Sequence, residues 1–253
     1  MLQEKALAIL KSGKNVFLTG SAGTGKTYVL NEYITYLKAR KVPVAITAST
    51  GIAATHMNGM TIHSWAGIGV KEHLTKGNLA SMKAKKYLKT HLERVKVLII
   101  DEVSMLHKNQ INLVDVVLQY FKGNTDAFGD IQVVLSGDFF QLPPIGKPGE
   151  TSKEKFSFMS EAWLRASLSV CYLTEQYRQS DNDLNLILNE IREGGISDKS
   201  YAKLKQASKN ELNQEKEPTK LFTHNSDVDR INSEYLATLP GEPKTYSATT
   251  KGN

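Results

Sequence analysis

Eight consecutive residues restrict this chain more than any other feature. Gly20, Ser21, Ala22, Gly23, Thr24, Gly25, Lys26 and Thr27 spell G-x-x-x-x-G-K-[ST] without a mismatch. The pattern needs an apolar strand before it and a helix after it. Both are present: residues 15–19 read as a strand, and Val29, Leu30, Tyr33, Ile34 and Leu37 recur on one helical face. Glycines in such a turn let successive N–H groups converge on an anion. The helix N-terminus adds partial positive charge. Lys26 is then expected to reach the β- and γ-phosphate oxygens of a nucleotide, with the Thr27 hydroxyl on Mg²⁺.

A phosphate loop of this kind requires an apolar strand that ends in an acid. Residues 98–102, Leu-Ile-Ile-Asp-Glu, supply one. Asp101 is expected to hold Mg²⁺ through water. Glu102 is placed to polarise a water aimed at the γ-phosphate. A nucleotide kinase needs no such second acid, so hydrolysis is favoured.

Further strands are expected at 42–47, 95–100, 131–135, 168–173 and 221–224. Helices are expected at 105–121, from Asp181 with Leu184, Ile187, Leu188 and Ile191 inward, and from Asn225 with Val228, Ile231 and Leu236 inward. Strands alternate with helices, which predicts an α/β fold with a mainly parallel sheet. With 40% apolar and 23% charged residues, the 253-residue chain has enough apolar material for a core. A lone cysteine, Cys171, excludes an internal disulfide and suits a reducing compartment. The apolar runs are strand-length, so no membrane partner is expected. Cytoplasmic, nucleoid-associated placement is expected for a prokaryotic or viral source, and nuclear or mitochondrial placement stays open.

The net charge of +6 is concentrated. Between Lys71 and Lys96, seven lysines and Arg94 face only Glu72 and Glu93, and the rest of the chain balances. The stretch from about Gly67 to Leu92 fits no strand–helix unit cleanly and reads as a basic insertion. Two readings stay open: a solvated lysine-rich face, or a surface for nucleic-acid phosphates.

Four more segments complete a pattern: residues 47–54 (Thr-Ala-Ser-Thr-Gly-Ile-Ala-Ala), 61–69 (Thr-Ile-His-Ser-Trp-Ala-Gly-Ile-Gly), 136–144 (Ser-Gly-Asp-Phe-Phe-Gln-Leu-Pro-Pro) and 173–179 (Leu-Thr-Glu-Gln-Tyr-Arg-Gln). With the phosphate loop and the Asp-Glu strand, they make the chain resemble the PIF (petite integration frequency) family of superfamily 1 DNA helicases, 5′-to-3′ enzymes related to RecD-like proteins. The resemblance spans Gln3 to about residue 249. It implies a P-loop, RecA-like ATPase domain over residues 1–174, with residues 66–93 as a wedge-like insertion. From 175 to 253 it implies the opening of a second RecA-like domain. That domain's inserted β module and its motif with a second arginine finger are not found here.

The implied activity is ATP hydrolysis driving 5′→3′ movement along single-stranded DNA and unwinding of duplex. The alternative is a nucleotide-switched module that binds single strands with little turnover. Implied cofactors are ATP and Mg²⁺. Implied partners are single-stranded DNA and single-strand/duplex junctions, with the protein a monomer. By resemblance, Gln3 reads adenine and Tyr177 stacks on the base. Arg178 contacts the γ-phosphate and Gln141 senses it. Thr50, Thr61, His63 and the Pro143–Pro144 turn meet DNA. Trp65 and Phe140 either stack on bases or belong to the core.

Overall fold

The computed structural model describes residues 1–146, 148–151, 153–177, 181–209, 219–242 and 244–247. Helix α1 (Gln3–Lys11) leads into β1 (Val16–Gly20), and the phosphate loop joins β1 to α2 (Lys26–Ala39). Next come β2 (Val44–Ala48), α3 (Gly51–His56), β3 (Met60–Thr61) and α4 (Ile62–Trp65). Helices α5 (Lys76–Ala84) and α6 (Lys86–Arg94) precede β4 (Val97–Asp101). Then follow α7 (Lys108–Lys122), β5 (Gln132–Ser136), α8 (Glu161–Arg165), β6 (Ser169–Leu173) and α9 (Asn182–Glu193). These belong to one compact unit, Met1–Ser197. A second unit, Asp198–Asn253, holds α10 (Asp198–Ala207) and α11 (Asn225–Thr238).

The six strands form one parallel sheet in the order β3-β2-β4-β5-β1-β6. Side chains alternate across it, as strand geometry requires. Val16 and Leu18 of β1, Val97 and Ile99 of β4, Val134 of β5 and Cys171 of β6 face α1 and α2, where they meet Leu10, Leu30 and Tyr33. Phe17, Leu98, Ile100, Val133 and Leu135 face the other way, toward Val114, Val117, Leu118 and Phe121 of α7. Both faces are therefore covered by helices, which explains the near-continuous apolar runs of the central strands. The parallel α/β architecture expected from the sequence is the architecture found, with Cys171 a fully buried apolar filler.

The basic stretch is ordered as a helical hairpin. Thr75 and Asn78 cap α5 reciprocally, at 3.1 and 3.0 Å. Leu79 and Met82 of α5 and Leu88 and Leu92 of α6 enter the same core as α7. The hairpin is thus the crossover between β3 and β4, with its lysines on the outer side.

Several expectations are corrected. Residues 221–224 form no strand; the described part of 198–253 contains no other strand to pair with. Helix α11 is present, but none of its residues is buried and Leu236 is 69% exposed. In α9, Asp181 does cap the helix, accepting from the Asp183 and Leu184 amides at 2.9 and 3.1 Å. Of its four expected inward residues, however, only Ile187 is buried, because Leu188 and Ile191 line an open cleft. Of the two readings open for Trp65, the structure gives the core: its ring is 6% exposed and packs in the core cluster.

Candidate nucleotide site

Strands β1, β4 and β5 lie side by side, so their C-terminal ends bring three loops together, the usual ligand position in an open parallel sheet. The phosphate loop follows β1. Its glycines are favoured by conformation, and Gly20 by space as well. Gly20, Gly23 and Gly25 all have positive φ. A Cβ on Gly20 would stand 2.7 Å from the Leu173 carbonyl oxygen, and one on Gly25 would stand 2.1 Å from Gln3 Nε2. Gly25 is the residue before α2, and no side chain caps that helix, leaving its first N–H groups to the loop.

Lys26 Nζ donates to the carbonyls of Gly20 at 2.9 Å and Ser21 at 3.2 Å. Burial holds its ammonium pKa below the usual lysine value, while the nearby carboxylates of Asp138, Glu102 and Asp101 oppose the shift. Gln3 Nε2 donates to the Thr24 carbonyl at 3.0 Å, docking α1 on the loop. Tyr177 donates its backbone N–H to Gly23 O at 2.9 Å, and Gln176 Nε2 donates to Ser21 Oγ at 2.9 Å. The segment after β6 is therefore laid across the loop. Arg178 lies outside the described residues.

Asp101 ends β4 and is buried; Glu102 follows it in the left-handed region, at φ 52°. A non-glycine residue there is strained, and such strain is concentrated at functional positions. Burial raises the pKa of both carboxyls, and the Asp101 charge raises that of Glu102 further. The Ser136 hydroxyl is close enough to Asp101 to favour its ionised form, yet makes no hydrogen bond of acceptable geometry and stays buried without a partner.

Ala22, Gly23, Gly25, Lys26, Thr27, Glu102, Gln141 and Tyr177 line one cleft of about 430 Å³. Four separate segments thus converge on it, and Gln3 is not among its lining residues. The cradle and the uncapped helix suit a polyphosphate. The oxygen donors Thr27, Asp101 and Glu102 suit Mg²⁺. Among the described residues no group of three or more His, Cys, Asp or Glu could hold a metal unaided.

The residues expected to meet DNA are more dispersed. Thr50 and Thr61 cap α3 and α4, accepting from the Ala53 and Ser64 amides at 3.3 Å each. His63 Nε2 accepts from Gln110 Nε2 at 2.7 Å, and burial lowers its pKa while the Gln110 bond opposes the shift. His63 lines a groove with Val70, Lys71, His107 and Ile145. Phe140 is 73% exposed, Pro143 is exposed and Pro144 is buried. Two residues not anticipated from sequence stand beside this loop: Asp138, which is buried, and Arg192 of α9, which pairs with it at 2.6 Å. Gln176 was also missed, although it lies in a motif that drew attention for its neighbours.

A parallel sheet with a phosphate loop on β1 and paired acids on β4 defines a RecA-like nucleotide-binding domain. The family model of the PIF1-like helicases matches residues 3–201. The ATP-dependent DNA helicase Pif1 of a Psychrobacter species is 55% identical over 261 aligned positions, covering 100% of this chain and 39% of that protein. The ATP-dependent DNA helicase RRM3 of Saccharomyces cerevisiae is 38% identical over 98% of this chain and 35% of its own length. Among solved structures, Pif1 helicase from Candida albicans superposes with a TM-score of 0.85 at 35% identity, over 95% of this chain and 55% of that one. Pif1 helicase from Bacteroides, in complex with ADP-AlF3 and single-stranded DNA, gives 0.82 at 29% identity, over 95% and 57%. The chain belongs to the PIF1-like helicase family. It spans between a third and two fifths of the length of these curated relatives.

Proposed function

We propose that this chain carries the nucleotide-hydrolysing part of an ATP-driven motor that moves 5′→3′ on single-stranded DNA and unwinds duplex. The observation that carries the reading is the convergence of Lys26, Thr27, Glu102, Gln141 and Tyr177 on one cleft. Mg²⁺, held by Thr27 and, through water, by Asp101, would neutralise charge on the phosphates. Lys26 compensates the β- and γ-oxygens. Glu102 takes a proton from the attacking water. Gln141 reports the γ-phosphate to the loop that carries Phe140, and Gln3 and Tyr177 hold the base. Arg178 is assigned to the γ-phosphate by its motif alone.

On the DNA side we assign Thr50, Thr61, His63, Phe140 and Pro143 to strand contact. Hydroxyls and backbone groups suit phosphates without reading sequence. The lysines of the α5–α6 hairpin we assign to the junction with duplex. The reading draws support from the Bacteroides relative bound to ADP-AlF3 and single-stranded DNA. The RecA-like domain is assigned to residues 1–174, with a second beginning near 175.

The test is ATP hydrolysis and oligothymidine binding by residues 1–253, each with and without the other ligand. Mg²⁺-dependent ATP binding together with single-strand binding supports the reading. Binding with no turnover at all would favour the nucleotide-switched binding module. Absence of both would remove the reading.

A further inference from the structure

Asp138 is 1% exposed and stands two residues past the end of β5, two residues before Phe140 and three before Gln141. Its carboxylate takes both prongs of the Arg192 guanidinium, Nη1 to Oδ2 at 2.6 Å and Nη2 to Oδ1 at 2.9 Å. It also accepts from Gln141 Nε2 at 3.1 Å and from the Phe140 amide at 3.2 Å. The Arg192 guanidinium in turn lies over the Phe140 ring, 4.3 Å from its centroid. One arginine in the last turn of α9 therefore fixes three things at once: the acid, the amide that faces the nucleotide cleft, and the exposed aromatic on the DNA side.

Burial alone would raise the Asp138 pKa, but the bonds from Arg192, the Phe140 amide and Gln141 outweigh it and hold the carboxyl ionised below the usual range. Apart from Phe139 and the buried Pro144 the loop has little packing of its own: Phe140, Leu142 and Ile145 are 73%, 67% and 94% exposed. Its beginning is held by charge-assisted hydrogen bonds, which have direction, rather than by apolar contact, which has little. A planar fork bonded through two prongs resists rotation in a way an ammonium cannot. Any shift of Gln141 toward a phosphate must alter its bond to Asp138, and with it the seat of Arg192 against Phe140.

We propose that Arg192 is a positioning residue that, through Asp138, couples nucleotide occupancy at Gln141 to the strand-binding posture of Phe140 without itself touching nucleotide. This rests on the proposed function, since it presumes that both ligands bind. The coupling is reciprocal: nucleotide changes affinity for DNA by the same factor as DNA changes affinity for nucleotide.

The experiment uses residues 1–253, a labelled oligothymidine, and a non-hydrolysable ATP analogue with Mg²⁺. The quantity read is the ratio of oligothymidine Kd values with and without the analogue. For the unaltered chain a ratio in the range of roughly 5 to 150 is expected, the usual span of allosteric coupling. Arg192→Gln should bring it to within about 2-fold of unity, with the single-ligand affinities moving less than the ratio does. Arg192→Lys should retain part of the coupling, because charge survives and the fork does not. Arg192→Gln leaves a buried carboxylate unpaired and could fail to fold, so the Asp138→Asn/Arg192→Gln pair removes both charges; it should fold and show the same lost coupling. Unchanged coupling in the folded Arg192 variants would overturn the proposal and leave the function standing. A tenfold loss of analogue affinity without DNA would overturn it by making Arg192 a nucleotide contact. An unaltered chain that binds neither ligand would remove the proposed function, and this inference with it.

Discussion

Gln3 Nε2 donates to the Thr24 carbonyl at 3.0 Å, so the first turn of α1 is fastened to the phosphate loop. One proton of that amide is used; the other, and Oε1, remain to pair with the N7 and N6 edge of adenine. Gln3→Ala should weaken ATP binding about 5- to 160-fold, the span of two ordinary hydrogen bonds, and narrow the preference for ATP over GTP. Competition titrations with both nucleotides read it. An unchanged preference would make Gln3 a structural tie alone.

Glu102→Gln should keep Mg–ATP binding and lose about 10²- to 10⁴-fold in single-turnover hydrolysis, the usual contribution of a general base. The raised Glu102 pKa sets a sign. The base must be ionised, so the acid limb of the rate profile should lie above the ordinary glutamate range. Stability has its own sign: between the ordinary value and the raised folded value, the folded state holds the proton that the unfolded state has released. Glu102 therefore lowers stability as pH rises through that window. Denaturant midpoints across that pH range, compared with Glu102→Gln, read the difference.

Asp115→Ala tests the core apart from the site. Asp115 is buried and accepts from the Phe128 amide at 2.6 Å and from Arg165. Arg165 is half-exposed and regains water, whereas Phe128 is fully buried. The expected cost is about 1–3 kcal/mol, that of one orphaned buried donor. Denaturant unfolding reads the loss; nucleotide affinity below the transition should be unaffected.

The hairpin lysines differ in role. Lys83 lies over the Tyr120 ring at 5.2 Å and is partly buried, whereas Lys85 and Lys86 stand exposed at the turn between α5 and α6. Lys85→Ala/Lys86→Ala should lower the salt slope of single-strand binding by about 1.4, at about 0.7 for each phosphate contact, and Lys83→Ala should lower it less. A slope that none of these changes would make the hairpin a solvated face.

Residues 1–253 should bind both ligands yet give no strand displacement on a 5′-tailed duplex. The described part of 198–253 holds two helices and no strand, so it supplies no second sheet to work against the cleft. Robust ATP-dependent displacement would contradict this.

The local and periodic features of the fold were legible in the sequence. The strands carrying Phe17, Ile99 and Val134 announced themselves because a sheet covered on both faces needs unbroken apolar runs. The phosphate loop, Asp101 and Glu102 were legible because their chemistry depends on short spacing. Arg192 was not: it pairs with Asp138 across 54 residues, and nothing local marks it. Trp65 and Phe140 looked alike in sequence, both aromatic and both beside DNA motifs. The fold separates them, with one ring in the core and the other 73% exposed. In α9 the apolar period marked a helix correctly and burial wrongly, because an amphipathic face fits a cleft wall as well as a core.

The central claim is that residues 20–27 hold Mg–ATP with Lys26 on its phosphates, and equilibrium titration with a fluorescent ATP analogue tests it most directly. Residues 1–253 should bind one analogue saturably, lose it to unlabelled ATP, and bind far less when EDTA replaces Mg²⁺. Lys26→Ala should remain folded below its denaturant transition and bind about 10- to 100-fold more weakly, the span of hydrogen bonds from a charged donor. Equal binding by Lys26→Ala, or binding indifferent to Mg²⁺, would contradict the assignment.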